Sequence, residues 1–259
     1  MNTGPSNTQD LDILEPPQDI EPDAALAALR HGSLALHGLL PWSSNYTFLG
    51  TVTHGALKFN VVYKPCRGER PLWDFEEATL CQREVAAYHV SCALNRRPAI
   101  PPTVMRNGPH GPGMVQQFIH ANYNIHYFSL KDNPRHKATF QHLALFDYLV
   151  NNADRKGGHC LLDWKNRIWA IDHGLTFHTH YKLRTVIWDY ANQDIPPGIY
   201  NALNAFKRAF VPTSNLYRIL KKLLAPDEIQ SFTRRLDTLL ASGKFPRPLG
   251  ARDYPYPPI

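Results

Sequence analysis

Two short stretches of the sequence constrain the fold more than any other part: Asn151–His159 and Ile168–Gly174. The first is a polar loop that follows an apolar helical run, and it contains Asp154. The second is an apolar strand that ends at Asp172, 18 positions later. The residues between the two acids predict a short β-hairpin with its turn at 164–166. The pattern therefore predicts two carboxylates at neighbouring loop ends, where they can orient a hydroxyl and hold a divalent metal, as phosphoryl transfer from a nucleotide requires.

Charge is distributed unevenly along the chain. Residues 1–24 carry six acidic residues and no Lys or Arg, whereas the rest holds 28 basic and 16 acidic residues. Such a surplus suits an anionic ligand: a nucleotide, an acidic lipid headgroup or a nucleic acid. Nucleic acid is the least favoured of these, because the sequence shows no RNA-binding or helix-turn-helix motif. No apolar run has the length of a membrane-spanning helix, so stable membrane insertion is not expected.

The four cysteines, Cys66, Cys81, Cys92 and Cys160, are scattered and form no CxxC pair. This spacing predicts reduced thiols and disfavours a zinc site. The N-terminal residues are polar and acidic, unlike a secretory signal. We therefore expect a cytoplasmic protein.

The order of predicted elements indicates an α+β protein, with a strand-rich half followed by a mainly helical half. Residues 1–24 are predicted to form a disordered acidic, Pro-rich tail, and residues 246–259 a Pro-rich tail on the surface. Between them we place a first lobe at 25–119 and a second lobe at 120–245.

A helix is predicted from Asp23 to Leu36, with Asp23 as its N-cap and Gly32 as its stop signal. The turn His54-Gly55 predicts a hairpin between two strands. Strands are predicted at 47–53, 56–64, 104–105 and 114–119, the last two across a turn at 107–113. Helices are predicted at 79–94, 139–150 and 197–242, with boundaries at 212–214 and Pro226.

Three features of the first half can carry nucleotide chemistry. The polar turn with Ser43, Ser44 and Asn45 exposes N–H groups and hydroxyls that can cradle phosphates, although it also fits an ordinary turn. Lys64 ends an apolar strand, where its ammonium can meet a phosphate or a carboxylate, or extend into water. Glu84, near the start of a helix, can pair with Lys64. The competing carboxylates are Asp74, Glu76 and Glu77.

The two acids of the second half have different expected roles. A carboxylate such as Asp154, with an ordinary pKa of about 4, is a weak base, so it would position a hydroxyl more than deprotonate it. Arg155 would brace the loop through charge-assisted hydrogen bonds. Asp172 directly follows a buried strand, which is costly unless an ion such as Mg²⁺ compensates it. Gly174 would permit the unusual backbone turn that follows.

These features stand in an order that resembles kinases of the phosphatidylinositol 3- and 4-kinase type, closest to the type II 4-kinase and HipA-like branches. They also resemble a group of small bacterial proteins with that domain. The likeness covers about residues 38–240 and rests on the order and spacing of motifs that are each weak alone. It implies a two-lobed protein-kinase-like fold with a strand-rich N-lobe and a mainly helical C-lobe.

The resemblance also implies an activity: transfer of the γ-phosphoryl group of ATP to a hydroxyl, with Mg²⁺ as the metal. Ser43, Ser44 and Asn45 would cover the phosphates, and Lys64 would contact the α-phosphate. Asp154 and Arg155 would form the catalytic loop, and Asp172 would bind the metal. The strand and linker with Gln117, Phe118 and Ile119 would contact the adenine ring.

His159 departs from the family pattern, which has Asn at this position as a second metal ligand. An imidazole can bind Mn²⁺ or Mg²⁺, although Mg²⁺ prefers oxygen. His159 is therefore a candidate metal ligand that favours Mn²⁺. The alternative is a nucleotide-binding pseudokinase that acts as a regulatory scaffold.

The acceptor hydroxyl is left open between a lipid, a protein and a small molecule. Absence of the cysteine-rich palmitoylation segment of type II lipid kinases weakens the lipid alternative. An anionic acceptor fits the basic segment after the second acid, which contains His178, His180, Lys182 and Arg184.

Overall fold

The computed structural model describes residues 19–40 and 45–259. The predictions for residues 1–18 and for Ser43 and Ser44 lie outside this part of the chain. The protein divides into two compact units. The first contains the described residues up to Cys81 together with Pro102–Phe118, and the second contains Gln82–Pro101 and Ile119–Ile259. This division differs from the predicted boundary at 119/120, because residues 82–101 belong to the second unit.

The first unit is an antiparallel five-stranded sheet with one helix packed on it. Its strands follow the order β1-β2-β3-β5-β4. The helix contributes Ala25, Ala28 and Leu29 to a core that also contains Val52 and Val61 from the sheet. The elements are α1 (Pro22–His31), β1 (Ser33–Leu39), β2 (Phe48–His54), β3 (Leu57–Pro65), β4 (Thr103–Gly108) and β5 (Gly111–Gln117).

The predicted helix from Asp23 to Leu36 is too long. Helix α1 begins at Pro22 after the N-cap residue Glu21, and it ends before Gly32 as predicted. The residues that follow Gly32 form β1, whose exposure alternates residue by residue and which pairs with β2. That alternation has the period of a strand, and it outweighs the helical tendency of the preceding residues.

Both predicted hairpins of the first unit are confirmed. Gly55 has φ +58° in the turn between β2 and β3, a conformation that glycine adopts without steric cost. Gly108 pairs with Gly111 across the β4–β5 turn, so these strands are longer and their turn tighter than the sequence predicted.

The prediction of reduced thiols is wrong for two of the four cysteines. Cys66 and Cys81 form a disulfide, whereas Cys92 and Cys160 are free. The disulfide joins the segment after β3 to the first turn of α2 (Leu80–Ala93), a helix that continues into the second unit. Glu69 supports the same junction, since its carboxylate accepts the N–H groups of Leu80 and Cys81 at 3.0 and 2.8 Å. A disulfide is typical of oxidising compartments, and the cytoplasmic location stays a prediction.

Removing the disulfide should destabilise the first unit. In the double variant Cys66→Ser/Cys81→Ser, we expect the free energy of unfolding to fall by about 3 kcal/mol, the value for closing a loop of roughly 15 residues. Urea unfolding measured with and without a thiol reductant tests this. The reductant should lower the unfolding midpoint of the wild type and of the control Cys92→Ser, but not that of the double variant. A wild-type midpoint that does not respond to the reductant would contradict the pairing.

The second unit is mainly helical. The predicted helix at 139–150 and the boundaries at 212–214 and Pro226 are confirmed, and Ser214 caps its helix by accepting the N–H of Tyr217 at 3.2 Å. The remaining elements are α3 (Tyr127–Leu130), α4 (Lys137–Val150), β6 (Cys160–Leu162), β7 (Ile168–Ala170), α5 (Pro197–Ala209), α6 (Asn215–Leu223) and α7 (Pro226–Ser242). The predicted small hairpin is β6–β7. None of the helices in the described ranges combines the length and apolarity needed to span a membrane.

The Pro-rich segment 246–259 is attached to the second unit by hydrogen bonds that its backbone carbonyls accept. The carbonyl of Pro258 accepts the N–H of Gly157 at 2.8 Å. The carbonyl of Asp253 accepts the N–H of Thr185 at 3.0 Å and the indole N–H of Trp188 at 3.3 Å. The predicted surface tail is therefore docked along the loops that surround Asp154.

Candidate active site

The loop that carries Asp154 begins where α4 ends in a left-handed residue. Asn151 has φ 57° and ψ 53°, a conformation that Asn adopts more readily than most residues. Its side-chain amide donates to the carbonyls of His178 and His180 at 2.9 and 2.7 Å and accepts the N–H of Lys182 at 2.9 Å. The helix end and the segment 178–182 are thus held together by one side chain.

Asp154 lies half-buried in this loop. Its backbone N–H donates to the side-chain oxygen of Asn152 at 3.0 Å, and its carboxylate lies 3.5 Å from the ammonium of Lys156. Burial raises the pKa of Asp154 to about 6, Lys156 opposes this rise, and the charge of Asp172 adds to it. The two predicted carboxylates are therefore close enough to interact electrostatically.

Arg155 is fully buried and forms an ion pair inside the second unit. Its Nε lies 2.9 Å from Oδ2 of Asp147, and its Nη2 lies 3.0 Å from Oδ1 of the same residue. Both side chains are inaccessible to solvent. A buried charge is tolerated only when it is paired and hydrogen-bonded, and this bidentate contact meets that condition.

The guanidinium of Arg155 also binds the loops that carry the other candidate residues. It donates to the carbonyl of Ile171 at 2.7 Å, to the carbonyl of His159 at 3.4 Å and to Nε2 of His173 at 2.7 Å. Ile171 and His173 flank Asp172 in the chain. One buried side chain therefore fixes the backbone next to Asp154, next to Asp172 and at His159. Arg155 positions these residues and is itself shielded from any substrate.

Asp172 has an unusual backbone conformation, with φ 61°. Left-handed conformations are uncommon for non-glycine residues and cluster at functional sites. We predicted an unusual backbone turn at Gly174, but the residue with the left-handed conformation is Asp172 itself. The strand before Asp172 is buried at Ile168 and Ala170, but the side chain of Asp172 itself is 46% exposed. Exposure leaves the carboxylate accessible to a ligand.

His159 contacts the predicted metal ligand, with its Nε2 3.4 Å from Oδ2 of Asp172. A metal site built from three His, Cys, Asp or Glu side chains would bring their ligand atoms within 4.8 Å of one another. In the described part of the chain, one group meets this condition, and it consists of Cys66, Glu69 and Cys81. Asp154, His159 and Asp172 therefore do not form such a group among the described residues. Mg²⁺ needs only one or two protein carboxylates when substrate phosphates and water complete its shell, so this donor set fits a divalent cation.

Glu84 is buried in α2 rather than solvated, and it belongs to the second unit. Its carboxylate accepts the backbone N–H of His173 at 2.9 Å. The neighbouring Arg83 donates to the carbonyl of Thr176 at 2.7 Å and pairs with Glu228 at 2.6 Å. Helix α2 is thus fastened to the loop that follows Asp172. Lys64, the predicted partner of Glu84, belongs to the first unit.

The other predicted nucleotide contacts lie mostly in the first unit. Lys64 is half-buried on β3 and pairs in register with Met114. The N–H groups of Gln117 and Phe118 donate to the carbonyls of Pro102 and Asn60 at 2.9 and 3.0 Å. A purine contact by either residue would therefore use a group other than its N–H. The side chain of Asn45 accepts the N–H of Arg70 at 2.8 Å, and Ile119 is buried in the second unit.

A curated relative shows the family to which this chain belongs. The chain is 34% identical over 264 residues to Protein Rv2133c of Mycobacterium tuberculosis (strain ATCC 25618 / H37Rv). The alignment covers 89% of this chain and 94% of the relative. This chain belongs to the family of Rv2133c. No family model matches it.

A solved structure shows the fold. The proinflammatory kinase CtkA of Helicobacter pylori superimposes with a TM-score of 0.50 and 10% sequence identity, covering 83% of this chain and 97% of that chain. The identity is too low to carry more than architecture. The chain has a two-lobed, kinase-like α+β fold, as the sequence predicted.

Asp147 is the main site residue that the sequence reasoning missed. It lies in the run Leu145-Phe146-Asp147-Tyr148-Leu149 of α4 and is fully buried. A single carboxylate within an apolar helical run must find a buried cation, and the nearest arginine along the chain is Arg155. That signal was available in the sequence.

The electrostatic contact between the two acids can be measured directly. In the metal-free protein, we expect the carboxyl of Asp154 to titrate with a pKa of about 6 in carbon-detected NMR. Asp172→Asn should lower this pKa, because removing a nearby negative charge makes ionisation easier. Asp194→Asn, at an exposed carboxylate, is the matched control and should not change it. An unchanged pKa in Asp172→Asn would show that the two carboxylates do not interact.

Proposed function

We propose that this protein is an ATP-dependent phosphotransferase that moves the γ-phosphoryl group to a hydroxyl acceptor. The observation that carries the proposal is the buried guanidinium of Arg155. It ties the loop of Asp154 to the backbone beside Asp172 and to His159. Phosphoryl transfer depends mainly on positioning and on charge stabilisation. The hydrogen bonds of Arg155, behind two accessible carboxylates, would provide the positioning.

The candidate residues have separate roles in this proposal. Asp154 orients the acceptor hydroxyl. Its raised pKa also lets it hold the hydroxyl proton more readily than an ordinary carboxylate would. Asp172 and His159 would hold Mg²⁺ or Mn²⁺, which neutralises charge on the phosphates when bound. Lys64 would contact the α-phosphate.

The resemblance to lipid and HipA-like kinases supports the remaining contacts. Ser43, Ser44 and Asn45 would cover the nucleotide's phosphates, and Gln117, Phe118 and Ile119 would line the adenine site. The basic segment beside Asn151 favours an anionic acceptor, whether a lipid, a protein or a small molecule. Phosphate transfer to nucleic acid is not proposed.

Nucleotide binding and turnover test the function. Purified protein is expected to bind ATP in the presence of Mg²⁺ or Mn²⁺, to show a raised thermal midpoint, and to release or transfer labelled γ-phosphate. Lys64→Met should weaken ATP binding, with Lys58→Met on the same strand as the exposed control. A protein that neither binds nor turns over ATP with either metal would refute the proposal.

A nucleotide-binding pseudokinase is the second candidate, and one observation favours it. The imidazole of His159 contacts Asp172 where the family pattern has a second oxygen ligand. If this contact persists with nucleotide bound, the metal would be held too weakly for transfer. Metal-dependent ATP binding without transfer to any acceptor would identify this function, and sustained turnover would exclude it.

His159→Asn should change the metal preference. An amide oxygen replaces the imidazole nitrogen, and Mg²⁺ prefers oxygen ligands more strongly than Mn²⁺ does. We expect the ratio of Mg²⁺-supported to Mn²⁺-supported turnover to rise by about tenfold, in the range that changes around a metal site produce. His142→Asn, at a histidine bound to the backbone of α4, is the control. An unchanged ratio would mean that His159 is not a ligand.

A further inference from the structure

Residues 184–186 run beside the loop of Asp154 as one side of a short parallel pairing, in which Thr185 is the partner of Arg155. The N–H groups on either side of Thr185 donate to this loop, at 2.9 Å to the carbonyl of Asn152 and at 3.1 Å to that of Arg155. Successive N–H groups of an extended chain point to opposite sides, so the N–H of Thr185 points away from the loop. This is the geometry of a sheet edge, which another extended segment can join.

The protein's own residues 251–258, here called the docked segment, fill this edge. The carbonyl of Asp253 accepts the N–H of Thr185 at 3.0 Å and the indole N–H of Trp188 at 3.3 Å. The ring centroids of Tyr254 and Trp188 lie 6.3 Å apart. The edge is therefore occupied by a backbone acceptor and by an aromatic contact.

A second contact joins the docked segment to the loop of Asp154. The carbonyl of Pro258 accepts the N–H of Gly157 at 2.8 Å. A Cβ at Gly157 would lie 3.0 Å from the ring of Phe128 and 3.4 Å from the oxygen of Pro258. Glycine at this position thus permits the segment to approach the loop closely. The docked segment is bound on both sides of the chain that presents Asp154.

The docked segment is held more by its backbone than by its side chains. Its hydrogen bonds to residues 157, 185 and 188 are all accepted by its carbonyls, which any peptide possesses. Pro255 is buried, whereas Tyr254 is 49% and Tyr256 94% exposed. Proline favours the extended conformation that such an edge accepts. A segment with few buried side chains detaches at a small cost in free energy.

We propose that the edge at Thr185 and Gly157 is a groove for a protein acceptor, which enters it as an extended, proline-containing peptide, and that the docked segment competes for it in cis. The proposal rests on the proposed phosphotransferase function and names its class of acceptor. Pairing with a sheet edge and docking of Pro-rich segments against aromatic rings are two general modes of peptide recognition.

The docked segment also covers part of the basic segment to which we assigned the acceptor. Nε of Arg184 donates to the carbonyl of Arg252 at 3.2 Å. A tethered segment has an effective concentration in the millimolar range, so a free peptide meets an occupied groove. Release of the docked segment should therefore strengthen the binding of a peptide and increase the transfer of phosphate to it.

Peptide binding tests the groove in the full chain without ATP. The probe is a fluorescently labelled peptide with the sequence of residues 251–259, Ala-Arg-Asp-Tyr-Pro-Tyr-Pro-Pro-Ile. Pro255→Asp places a charge at a buried position of the docked segment and should release it. We expect the peptide to bind this variant at least about tenfold more tightly than wild type. Ala251→Asp adds the same charge at an exposed position of the segment and is the matched control, with wild-type affinity.

Amide hydrogen exchange measures whether the release is local. The N–H groups of Gly157 and Thr185 should exchange faster in Pro255→Asp, because they lose their acceptors. The N–H of Val186, which donates to the carbonyl of Arg155, should keep its wild-type rate and shows that the unit stays folded. Trp188→Phe combined with Pro255→Asp should weaken peptide binding roughly fivefold, the effect of one lost hydrogen bond.

The outcomes separate the groove from the activity. Peptide binding needs no nucleotide, so a chain that binds the peptide as expected but never transfers phosphate supports the groove and refutes only the proposed activity. Equal peptide affinity in wild type, Pro255→Asp and Ala251→Asp would overturn the proposal, as would unchanged exchange at Gly157 and Thr185. Vesicles that contain phosphatidic acid test a lipid acceptor. If they accelerate exchange at these two amides in wild type and excess peptide does not alter it, a peptide is the wrong partner.

Discussion

Asp172→Asn is expected to reduce phosphoryl transfer by at least roughly a thousandfold while the protein stays folded. A metal ion supplies several kcal/mol of charge stabilisation in such reactions, and each 1.36 kcal/mol is about a tenfold change in rate. The side chain of Asp172 is substantially exposed, so its replacement should leave the core intact. The measurement is transfer of labelled γ-phosphate at saturating ATP and metal.

Companion variants separate metal binding from acceptor positioning. Asp154→Asn should retain metal-dependent ATP binding and lose transfer, because its carboxylate is proposed to hold the acceptor hydroxyl. Asp172→Asn should weaken the metal dependence of ATP binding as well. Asp194→Asn, at a carboxylate whose side chain is 85% exposed, is the control and should keep full activity. Turnover of Asp172→Asn within a few-fold of wild type would rule out the metal role.

Breaking the buried pair of Asp147 and Arg155 should give the largest stability effect. Asp147→Asn leaves the guanidinium of Arg155 buried without its counter-charge, and we expect the free energy of unfolding to fall by about 3–5 kcal/mol. Urea unfolding at neutral pH measures it. The matched control is Asp237→Asn, which breaks the half-exposed pair with Lys207 and should cost less than about 1 kcal/mol.

A double variant tests whether the cost comes from the unpaired charge. Asp147→Leu/Arg155→Met removes both charges and should be less destabilised than the sum of the single variants, because neither charge is left alone. It should nevertheless lose transfer activity, since the carbonyls of Ile171 and His159 lose their common donor. Recovered stability with full activity would show that Arg155 does not position the site.

The mycobacterial relative and the kinase neighbour support different parts of these conclusions. Rv2133c identifies the family across nearly the whole chain. CtkA shows a kinase-like fold at an identity that cannot transfer residues. The roles assigned to Asp154, Asp172 and His159 therefore rest on the local geometry of the second unit and on the experiments above.

The succession of elements in this protein was predictable because it depends on local patterns. Helix α4, the β6–β7 hairpin and the boundaries of the C-terminal helices follow from apolar periodicity, Pro and Gly. The error at β1 arose where a short helix runs directly into a strand across Gly32. Local propensity does not resolve such a junction, because strand pairing with β2 decides it.

The sequence alone determined which residues stand next to the two acids, the order of the lobes and the excess of basic charge. Tertiary structure decided which charged and sulfur-bearing groups meet: Asp147 with Arg155, and Cys66 with Cys81. It also decided that Asp172 takes a left-handed backbone and an exposed side chain. Each of these depends on segments brought together by folding, and the free energy of a buried or strained group depends on those neighbours.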